Sequence, residues 1–453
     1  MAYCNAMDSD QRLQHSQVSP CPLGKSIGRG ASLRTFPCRV LFKKLNHGMV
    51  SRKGGTAVTA LGPSSTPATR SCSTAKARYG EAHYRVVDLR SDAATKPGPA
   101  MCQAMVEAAV RGDLIEDDQT VNELQEMAAD MFGMEAALFV PTGTMGNLIA
   151  VMVHCRERGD EMIVGDLSHL HIYEQGGSAQ LAGVHTTTVT TLPDGTFDLE
   201  QLESKIRHNP HNPCFTRSRL ICLENTHNIQ GGRVLPLTFL QEVRALADRY
   251  GLSVHMDGAR VMNAAVAQGV SLHTILQHTH SVSACLNKGL GAPVGAVLAG
   301  PRDFISRAVR CRKALGGLIH QAGILAAAGK HSLLDMGGSM EEDHRNARTF
   351  AQSLLDCDTL FGVDTAAVES NIVRFYLKEP SLSPTEFVAR MGQVGEGEEA
   401  ALGQGIQVLL YPFFGKFVRA VWHYGISLED TQLATQKMQF VASQYLQKKA
   451  RAQ

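Results

Sequence analysis

The sequence predicts an α/β protein with a large domain built on a mostly parallel sheet and a smaller C-terminal α+β domain. From about residue 85, short apolar strands alternate with amphipathic helical segments. Such alternation is typical of a parallel sheet with helices on both faces. Near residue 333 the pattern changes to helix, strand, helix and a closing strand and helix. We therefore expect a large domain over 85–332 and a small domain over 333–453.

The elements of the large domain follow one another closely. Helices are predicted over 97–112 and 120–133, the second opened by Thr120 and Glu123 at capping-box spacing. The segment ALFVPTG then leads into a helix from Gly143 to about Arg156. The remaining predicted strands are EMIVGD, HTTTV, RLICLEN, LSVHMD and SVSACLN, with an amphipathic helix over PLTFLQEVRALADRYG.

The composition limits the classes of protein to consider. The 453 residues carry a formal net charge of +1, and no uninterrupted apolar run approaches the roughly 20 residues of a membrane span. Eleven cysteines occur without CxxC or Cys/His ligand spacing, so neither a disulfide framework nor a zinc site is indicated. We expect no membrane partner and no metal.

Residues 1–84 differ from the rest of the chain. Between Gln11 and Gly80 there is no Asp or Glu, whereas Arg, Lys and Ser recur. This composition predicts a disordered basic leader, and a mitochondrial transit segment is favoured over a tail with no targeting role in a cytoplasmic protein. Met49 is a second candidate start. A nucleic-acid-binding arm is not expected because the segment has no aromatic stripe.

The residues at the end of two predicted strands carry the functional prediction. Asp257 closes LSVHMD and Lys288 follows SVSACLN, so both side chains are expected at the carboxyl edge of the sheet. A deprotonated lysine amine can form a Schiff base with pyridoxal phosphate, and a carboxylate keeps the pyridine ring protonated. The alternative is that Asp257 caps the next helix and Lys288 is a surface lysine.

A strand also runs into a helix through Thr142, Gly143 and Thr144. Backbone amides at a helix start, together with threonine hydroxyls, form a natural anion site, which here would suit the cofactor phosphate. On its own such a turn is weak support, because most helix starts of this kind bind nothing.

Histidines and an acid provide candidate proton-transfer groups. His169, His171 and Glu174 recur at near-helical spacing, but no third-ligand pattern for a metal follows them. His227 comes directly after the strand RLICLEN, at the expected edge of the crevice. Histidine exchanges protons near neutral pH, although a capping or core histidine is the alternative.

Two arginines are candidates for binding the carboxylate of an amino acid. Arg260 lies in HMDGAR and Arg419 in VRAVWH, and the planar guanidinium fork matches a carboxylate. A surface salt bridge is the alternative for Arg419.

Taken together, several motifs resemble the pyridoxal-phosphate-dependent low-specificity L-threonine aldolases. They are VDLRSDAATKP (87–97), PTGTMGN (141–147), LENTHN (223–228), HMDGAR (255–260), CLNKGLGAPVG (285–295) and, more weakly, VRAVWHYGIS (418–427). The resemblance implies pyridoxal-phosphate fold type I, which is aspartate-aminotransferase-like. It also implies a homodimer or homotetramer, and cleavage of L-threonine or L-allo-threonine to glycine and acetaldehyde.

The resemblance also implies roles for individual residues. Lys288 would bind the cofactor, Asp257 its ring nitrogen, and Gly143 and Thr144 its phosphate. The ring of His169 would stack on the pyridine face, with Glu174 close to the site. The residues implied at the substrate are Ser91, Arg260, Arg419 and His227, and Arg260 also lies at the cofactor. His227 and His169 would share the deprotonation of the substrate hydroxyl, while His171 has no matching role.

Three positions depart from the pattern of that family. The late run GGLIHQ has His320 where an arginine is usual, the loop IEDDQTVN (115–122) is altered, and Asn287 replaces a serine before the lysine. A catalytically weakened or inactive homologue is therefore one alternative function. Another pyridoxal-phosphate reaction on an amino acid, such as a lyase, dehydratase or transaminase reaction, is the second.

Overall fold

A computed structural model describes residues 84–109, 118–208, 212–334 and 336–452. Within them the strands are β1 Tyr84–Asp88, β2 Ala136–Val140, β3 Asp160–Gly165, β4 His185–Val189, β5 Arg217–Glu224, β6 Ser253–Asp257, β7 Ser281–Cys285, β8 Ala296–Gly300, β9 Phe361–Val363, β10 Ile372–Leu377, β11 Gly405–Leu409, β12 Tyr411–Pro412 and β13 Phe417–Val421.

The helices of the same residues are α1 Pro99–Glu107, α2 Gln119–Phe132, α3 Gly143–His154, α4 His169–Ile172, α5 Gly177–Gln180, α6 Leu199–Lys205, α7 Leu237–Tyr250, α8 Val261–Gln268, α9 Leu272–Leu276, α10 Arg302–Ala314, α11 Gly323–Leu334, α12 Met336–Leu354, α13 Pro384–Met391, α14 Glu398–Leu402 and α15 Leu428–Ala452. Among them, none is both long and apolar enough to cross a bilayer.

The large sheet has seven strands in the order β2-β8-β7-β6-β5-β3-β4. Strand β8 pairs antiparallel with β2 and β7, and the other pairings are parallel. Strands β3, β7 and β8 are buried along their whole length, as expected where helices cover both faces of a sheet. The mostly parallel sheet is therefore as predicted, and it brings the carboxyl ends of β2, β3, β5, β6 and β7 to one edge.

The C-terminal part contains a four-stranded antiparallel sheet in the order β12-β13-β10-β9. Its core packs Trp422, Phe350 and Phe375 together with the inner face of α15. Strand β1 pairs in parallel with β11, and Val87 and Leu89 belong to this same core. The first described strand thus belongs to the C-terminal part, and the path from it into the large sheet brings residues 89–92 to the site edge. The domain limits 85–332 and 333–453 stay a prediction.

The ends of two predicted helices differ in the structure. Helix α2 starts at Gln119, and its N-cap is Asp118, whose carboxylate accepts the amides of Thr120 and Val121. The predicted capping box led by Thr120 is therefore wrong, because an aspartate two residues earlier takes the orphan amides. Helix α1 ends at Glu107 rather than near 112. The predicted leader over 1–84 lies outside the described residues except for Tyr84, as do residues 115–117 of the altered loop.

Candidate active site

The predicted site residues come together at the carboxyl edge of the large sheet. Strand β5 ends at Glu224, β6 ends at Asp257, and the turn after β7 carries Lys288. Helix α3 starts at Gly143 directly after β2. In open α/β sheets ligands bind outside this edge, so the fold places acid, lysine and helix start around one crevice.

Asp257 is buried, with only 3 % of its surface exposed. Its Oδ2 accepts a hydrogen bond from Asn147 Nδ2 at 3.0 Å, and its Oδ1 accepts the amide of Ala259 at 3.1 Å. Helix α8 begins after Arg260, so Asp257 is not its N-cap residue. In the described part of the chain Asp257 forms no ion pair with Lys, Arg or His. Its negative charge is therefore left available for a cationic ligand.

Cys285 lies near Lys288, near Asp257 and near the start of helix α3. Burial raises the pKa of its thiol, and the charges of Lys288 and Asp257 both act on it. A Cβ added to Gly143 would lie 2.7 Å from Cys285 Sγ, which is closer than real side chains approach. Lys288 itself is half-buried. The thiol thus lies beside the three groups for which a cofactor site was predicted.

The start of α3 is suited to binding an anion. Thr142 is its N-cap and accepts the amide of Met145 at 3.1 Å. The amides of Gly143 and Thr144 lie in the first turn, where α-helical amides have no partner within the helix, and the side chain of Thr144 is exposed. This geometry fits the predicted phosphate contact.

His169 lies at the mouth of the crevice, in hydrogen-bond contact with Glu174. Its Nδ1 lies 2.9 Å from Glu174 Oε1, which also accepts from Asn147 Nδ2 at 2.8 Å. Burial by itself lowers the pKa of His169, but the bond to Glu174 and the charge of Asp257 outweigh burial and raise it. Burial and Asp257 raise the pKa of Glu174. Because Glu174 Oε1 is an acceptor, the neutral ring of His169 carries its proton on Nδ1 and leaves Nε2 free to accept one.

His227 is buried in the loop after β5. Its Nδ1 accepts the amide of Gln230 at 3.4 Å, which favours a proton on Nε2. The loop is held by Glu224, whose two carboxylate oxygens accept the amides of His169 at 2.7 Å and Asn228 at 2.8 Å. One carboxylate therefore fixes the backbone beside both histidines.

Arg260 and Arg419 converge on one neutral oxygen. Arg260 Nη1 lies 3.4 Å and Arg419 Nη1 2.9 Å from Asn228 Oδ1. The other edge of the Arg260 fork is occupied by Asp92, at 2.6 and 2.8 Å. Burial would raise the pKa of Asp92, yet the charges of Arg260 and Lys288 hold it well below its ordinary value. Only part of Arg260 is thus free for a ligand, a restriction the sequence did not indicate.

Arg419 is not paired with a carboxylate in the described residues. Its Nε is buried without a partner, and its guanidinium lies over the rings of Tyr411 and Phe413, at 5.3 and 5.2 Å. Burial and the charge of Arg260 lower the pKa of Arg419. A surface salt bridge therefore does not explain this residue. Ser91 lies nearby in sequence, half-buried, and caps a short 3-10 helix by accepting the amide of Ala93.

A metal site was not predicted, but His169, Glu174 and Asp257 present ligand atoms within 4.8 Å of one another. Asn147 Nδ2 donates to both carboxylates of this set. The N–H groups of Asn147 thus lie between Glu174 and Asp257, in the place that a cation would take. The three residues therefore fit a hydrogen-bonded cluster better than a metal site. His171, for which no role was predicted, is exposed.

Sequence reasoning missed four residues of this site: Asp92, Asn147, Glu224 and Asn228. All four lie inside motifs quoted for the family resemblance, yet no spacing pattern marks them. Of the three departures, His320 is exposed after α10 and Asn287 is half-buried. Their proximity to the cofactor site stays a prediction.

Comparison with known proteins agrees with the geometry. The beta-eliminating lyase family matches residues 88–379. A probable low-specificity L-threonine aldolase 2 of Arabidopsis thaliana is 44 % identical over 352 residues, which cover 77 % of this chain and 95 % of that protein. The low specificity L-threonine aldolase of Escherichia coli K12 is 41 % identical, covering 76 % of this chain and 96 % of its own.

Solved structures show the same fold. The threonine aldolase of Leishmania major superposes with a TM-score of 0.64 at 18 % identity, covering 79 % of this chain and 99 % of its own. A serine palmitoyltransferase of Sphingomonas wittichii gives a TM-score of 0.60 at 18 % identity, covering 79 % and 87 %. The predicted fold type I is thereby confirmed. With these relatives and this site, the chain belongs to the low-specificity L-threonine aldolase family within the beta-eliminating lyases.

Proposed function

We propose that the protein is a pyridoxal-phosphate-dependent lyase that cleaves L-threonine or L-allo-threonine to glycine and acetaldehyde. One observation supports this most strongly: two guanidinium groups, that of the buried Arg260 and that of the half-buried Arg419, meet at one neutral oxygen beside the acid and the lysine. In the described part of the chain Asp92 pairs with Arg260 and the charge of Glu224 also acts on it, whereas Arg419 has no carboxylate partner, which favours a further anionic ligand at Arg419. An amino-acid carboxylate fits this position.

The cofactor prediction agrees with the relatives. Structures with this fold include a serine palmitoyltransferase solved with pyridoxal phosphate, and family membership points the same way. Lys288 would hold the group through its amine, Asp257 through the ring nitrogen, and Gly143 with Thr144 through the phosphate. Pyridoxal phosphate supplies an electron sink for the charge left when a bond at the substrate's α-carbon breaks.

The protein's own residues then orient the substrate. Arg419 donates to one oxygen of the substrate carboxylate, and Arg260 Nη1 donates to the same group, displacing Asn228 as the shared acceptor. Because Asp92 fixes the rest of the Arg260 fork, that guanidinium cannot rotate away. The carboxylate is thus held at a fixed end of the crevice, and the hydroxyl of the substrate is left near the histidines.

His169 is the residue we assign as the base. Its Nδ1 donates to Glu174, so Nε2 of the neutral ring accepts the proton of the substrate hydroxyl as the carbon–carbon bond breaks. His227 has the opposite tautomer and offers an Nε2–H that donates to the hydroxyl oxygen. Loss of acetaldehyde leaves the electron pair of the broken bond at the α-carbon, and that carbon takes a proton, the one held by His169, to give glycine.

The test is product analysis with the full chain and added pyridoxal phosphate. Wild type should release acetaldehyde and glycine in equal amounts from L-threonine, measured by a coupled alcohol dehydrogenase reaction and by amino-acid analysis. Lys288→Ala should release neither. A 2-oxo acid in place of glycine would assign a dehydratase or transaminase reaction. No product from folded, cofactor-loaded protein would assign an inactive homologue and overturn the proposal.

We also propose that the chain forms a homodimer or homotetramer. Supporting this, Val106 and Leu334 expose apolar side chains, at 81 % and 74 %, on helices α1 and α11, which pack against each other. Light scattering of the purified full chain measures the mass, and a monomer would contradict the proposal.

We also propose that the basic leader directs import into mitochondria, with a cytoplasmic protein as the alternative. Imaging of a C-terminally tagged full chain tests it.

A further inference from the structure

A continuous row of hydrogen-bonded side chains leads from the candidate site into the protein. Asn147 joins Asp257 and Glu174 through its Nδ2, and its Oδ1 lies 3.1 Å from His255 Nε2. His255 Nδ1 lies 2.9 Å from Ser281 Oγ, and Ser281 Oγ lies 2.8 Å from His154 Nε2. None of Asn147, His255 and Ser281 exposes more than 2 % of its surface. We call Asn147, His255, Ser281 and His154 the relay.

The chemistry of the groups fixes every proton in the relay. A carboxamide oxygen only accepts, so His255 Nε2 must carry a hydrogen toward Asn147. Burial lowers the pKa of His255 to about 3, so the ring is neutral and its Nδ1 is an acceptor. The Ser281 hydroxyl therefore donates to His255, and its oxygen accepts the Nε2–H of His154. Burial also lowers the pKa of His154 well below its ordinary value, so this ring is neutral too.

The two carboxylates determine how the Asn147 side chain is oriented, and the direction of the relay agrees with them. With its oxygen turned to His255, both N–H groups of Asn147 face the carboxylates of Asp257 and Glu174. A rotated amide would place its oxygen against the two acids and lose both hydrogen bonds to them, and unsatisfied buried polar groups are expensive. It would also require His255 and Ser281 to exchange their donor and acceptor roles. The two acids thus select one orientation, and the relay matches it.

From this geometry we propose that Asn147 is a positioning residue for the cofactor, and that His255, Ser281 and His154 hold it in place. Asn147 donates to the carboxylate of Asp257 from a neutral amide, so it adds no positive charge there and fixes the direction in which the carboxylate faces the ring nitrogen. Through Glu174 the same amide also sets the orientation of His169. The inference rests on the proposed function only in that the site binds pyridoxal phosphate.

A pair of His255 variants tests the relay in the full chain. Glutamine at this position can donate from Nε2 toward Asn147 as histidine does, whereas leucine cannot. His255→Leu should weaken binding of pyridoxal phosphate at least about tenfold, the effect of losing one well-placed hydrogen bond. It should also shift the pH at which the bound chromophore titrates. His255→Gln should stay within about threefold in binding, with an unshifted titration. Fluorescence titration and absorbance measure these values.

A second variant covers the case in which His255→Leu does not fold. Asn147→Asp has nearly the same shape but loses the donor toward Asp257, so it should also bind the cofactor at least about tenfold more weakly, with a cooperative melting transition retained. The inference is overturned if a folded His255→Leu or Asn147→Asp protein binds and titrates the cofactor like wild type. Wild type that does not bind pyridoxal phosphate would instead refute the cofactor assignment.

Discussion

Replacement of Arg419 tests the proposed carboxylate site in depth. This guanidinium lies over Tyr411 and Phe413 and donates to Asn228 Oδ1 at 2.9 Å, and its buried Nε has no partner among the described residues. Methionine removes the charge and the fork while keeping a long side chain against the two rings. Lysine keeps the charge but loses the planar fork, so the pair of variants separates the two contributions.

The magnitude follows from the bonds that a carboxylate could form here. Nη1 exchanges the neutral Asn228 oxygen for a charged one. A hydrogen bond to a charged group contributes about 1.5–3 kcal/mol, so Arg419→Met should lose about 3 kcal/mol or roughly 100-fold in kcat/KM. Arg419→Lys should lose roughly tenfold. Most of the change should be in KM, because the carboxylate is held equally in ground and transition states.

Steady-state kinetics with L-threonine give these values, and inhibition constants for glycine and glycinamide give a second readout. Glycine should inhibit the methionine variant much more weakly than wild type, whereas glycinamide, which has no carboxylate, should inhibit both equally. Arg249→Met, on the exposed face of α7 beside Glu203, is the control for removing an arginine and should retain wild-type kinetics. A kcat/KM for Arg419→Met within threefold of wild type would refute the assignment.

Three further predictions concern protonation and buried charge. Burial alone lowers the pKa of His169, but the bond to Glu174 raises it. Glu174→Gln should therefore move the acid limb of the pH profile of kcat/KM to lower pH. A profile whose acid limb stays in place would contradict the assignment of His169 as the base. Burial raises the pKa of Asp343 to about 8. Its folded pKa exceeds the unfolded one, so the stability it contributes is complete at low pH and lost as pH rises toward about 8. Asp343→Asn should therefore flatten the fall in Tm over this range, and an unchanged pH dependence of Tm contradicts this. Lys437 is fully buried against Glu398, so Lys437→Met should lower the free energy of unfolding by about 3 kcal/mol, measured in urea. The double variant Lys437→Met/Glu398→Gln should regain part of the lost free energy of unfolding. A Lys437→Met protein as stable as wild type would contradict the prediction.

Much of the fold could be predicted because local patterns determine it. The strand ending at Asp257 and the helix starting at Gly143 lie where apolar periodicity and turn residues placed them. Two features were inaccessible to such patterns. Asp118 rather than Thr120 is the N-cap of α2, because both side chains are possible acceptors for the same amides. The pairing of β1 with β11 joins segments more than 300 residues apart.

The residues of the candidate site also divide into those that local patterns predict and those that they do not. Lys288, Asp257 and Gly143 were predictable because each follows a strand of one parallel sheet. Asn147 was not, since its partners lie on strand β6 and at Glu174, between 27 and 110 residues further along the chain. The restriction of Arg260 by Asp92 joins residues 168 positions apart, which no spacing rule reports.

The central claim is that the cofactor is bound at Lys288, between Asp257 and the start of α3. Borohydride reduction of the full chain loaded with pyridoxal phosphate, followed by proteolysis and mass spectrometry, tests it most directly. The account predicts one pyridoxyl label, on the peptide that contains Lys288, and loss of that label in Lys288→Ala. A stoichiometric label on any other lysine, or none on folded and loaded protein, would contradict it.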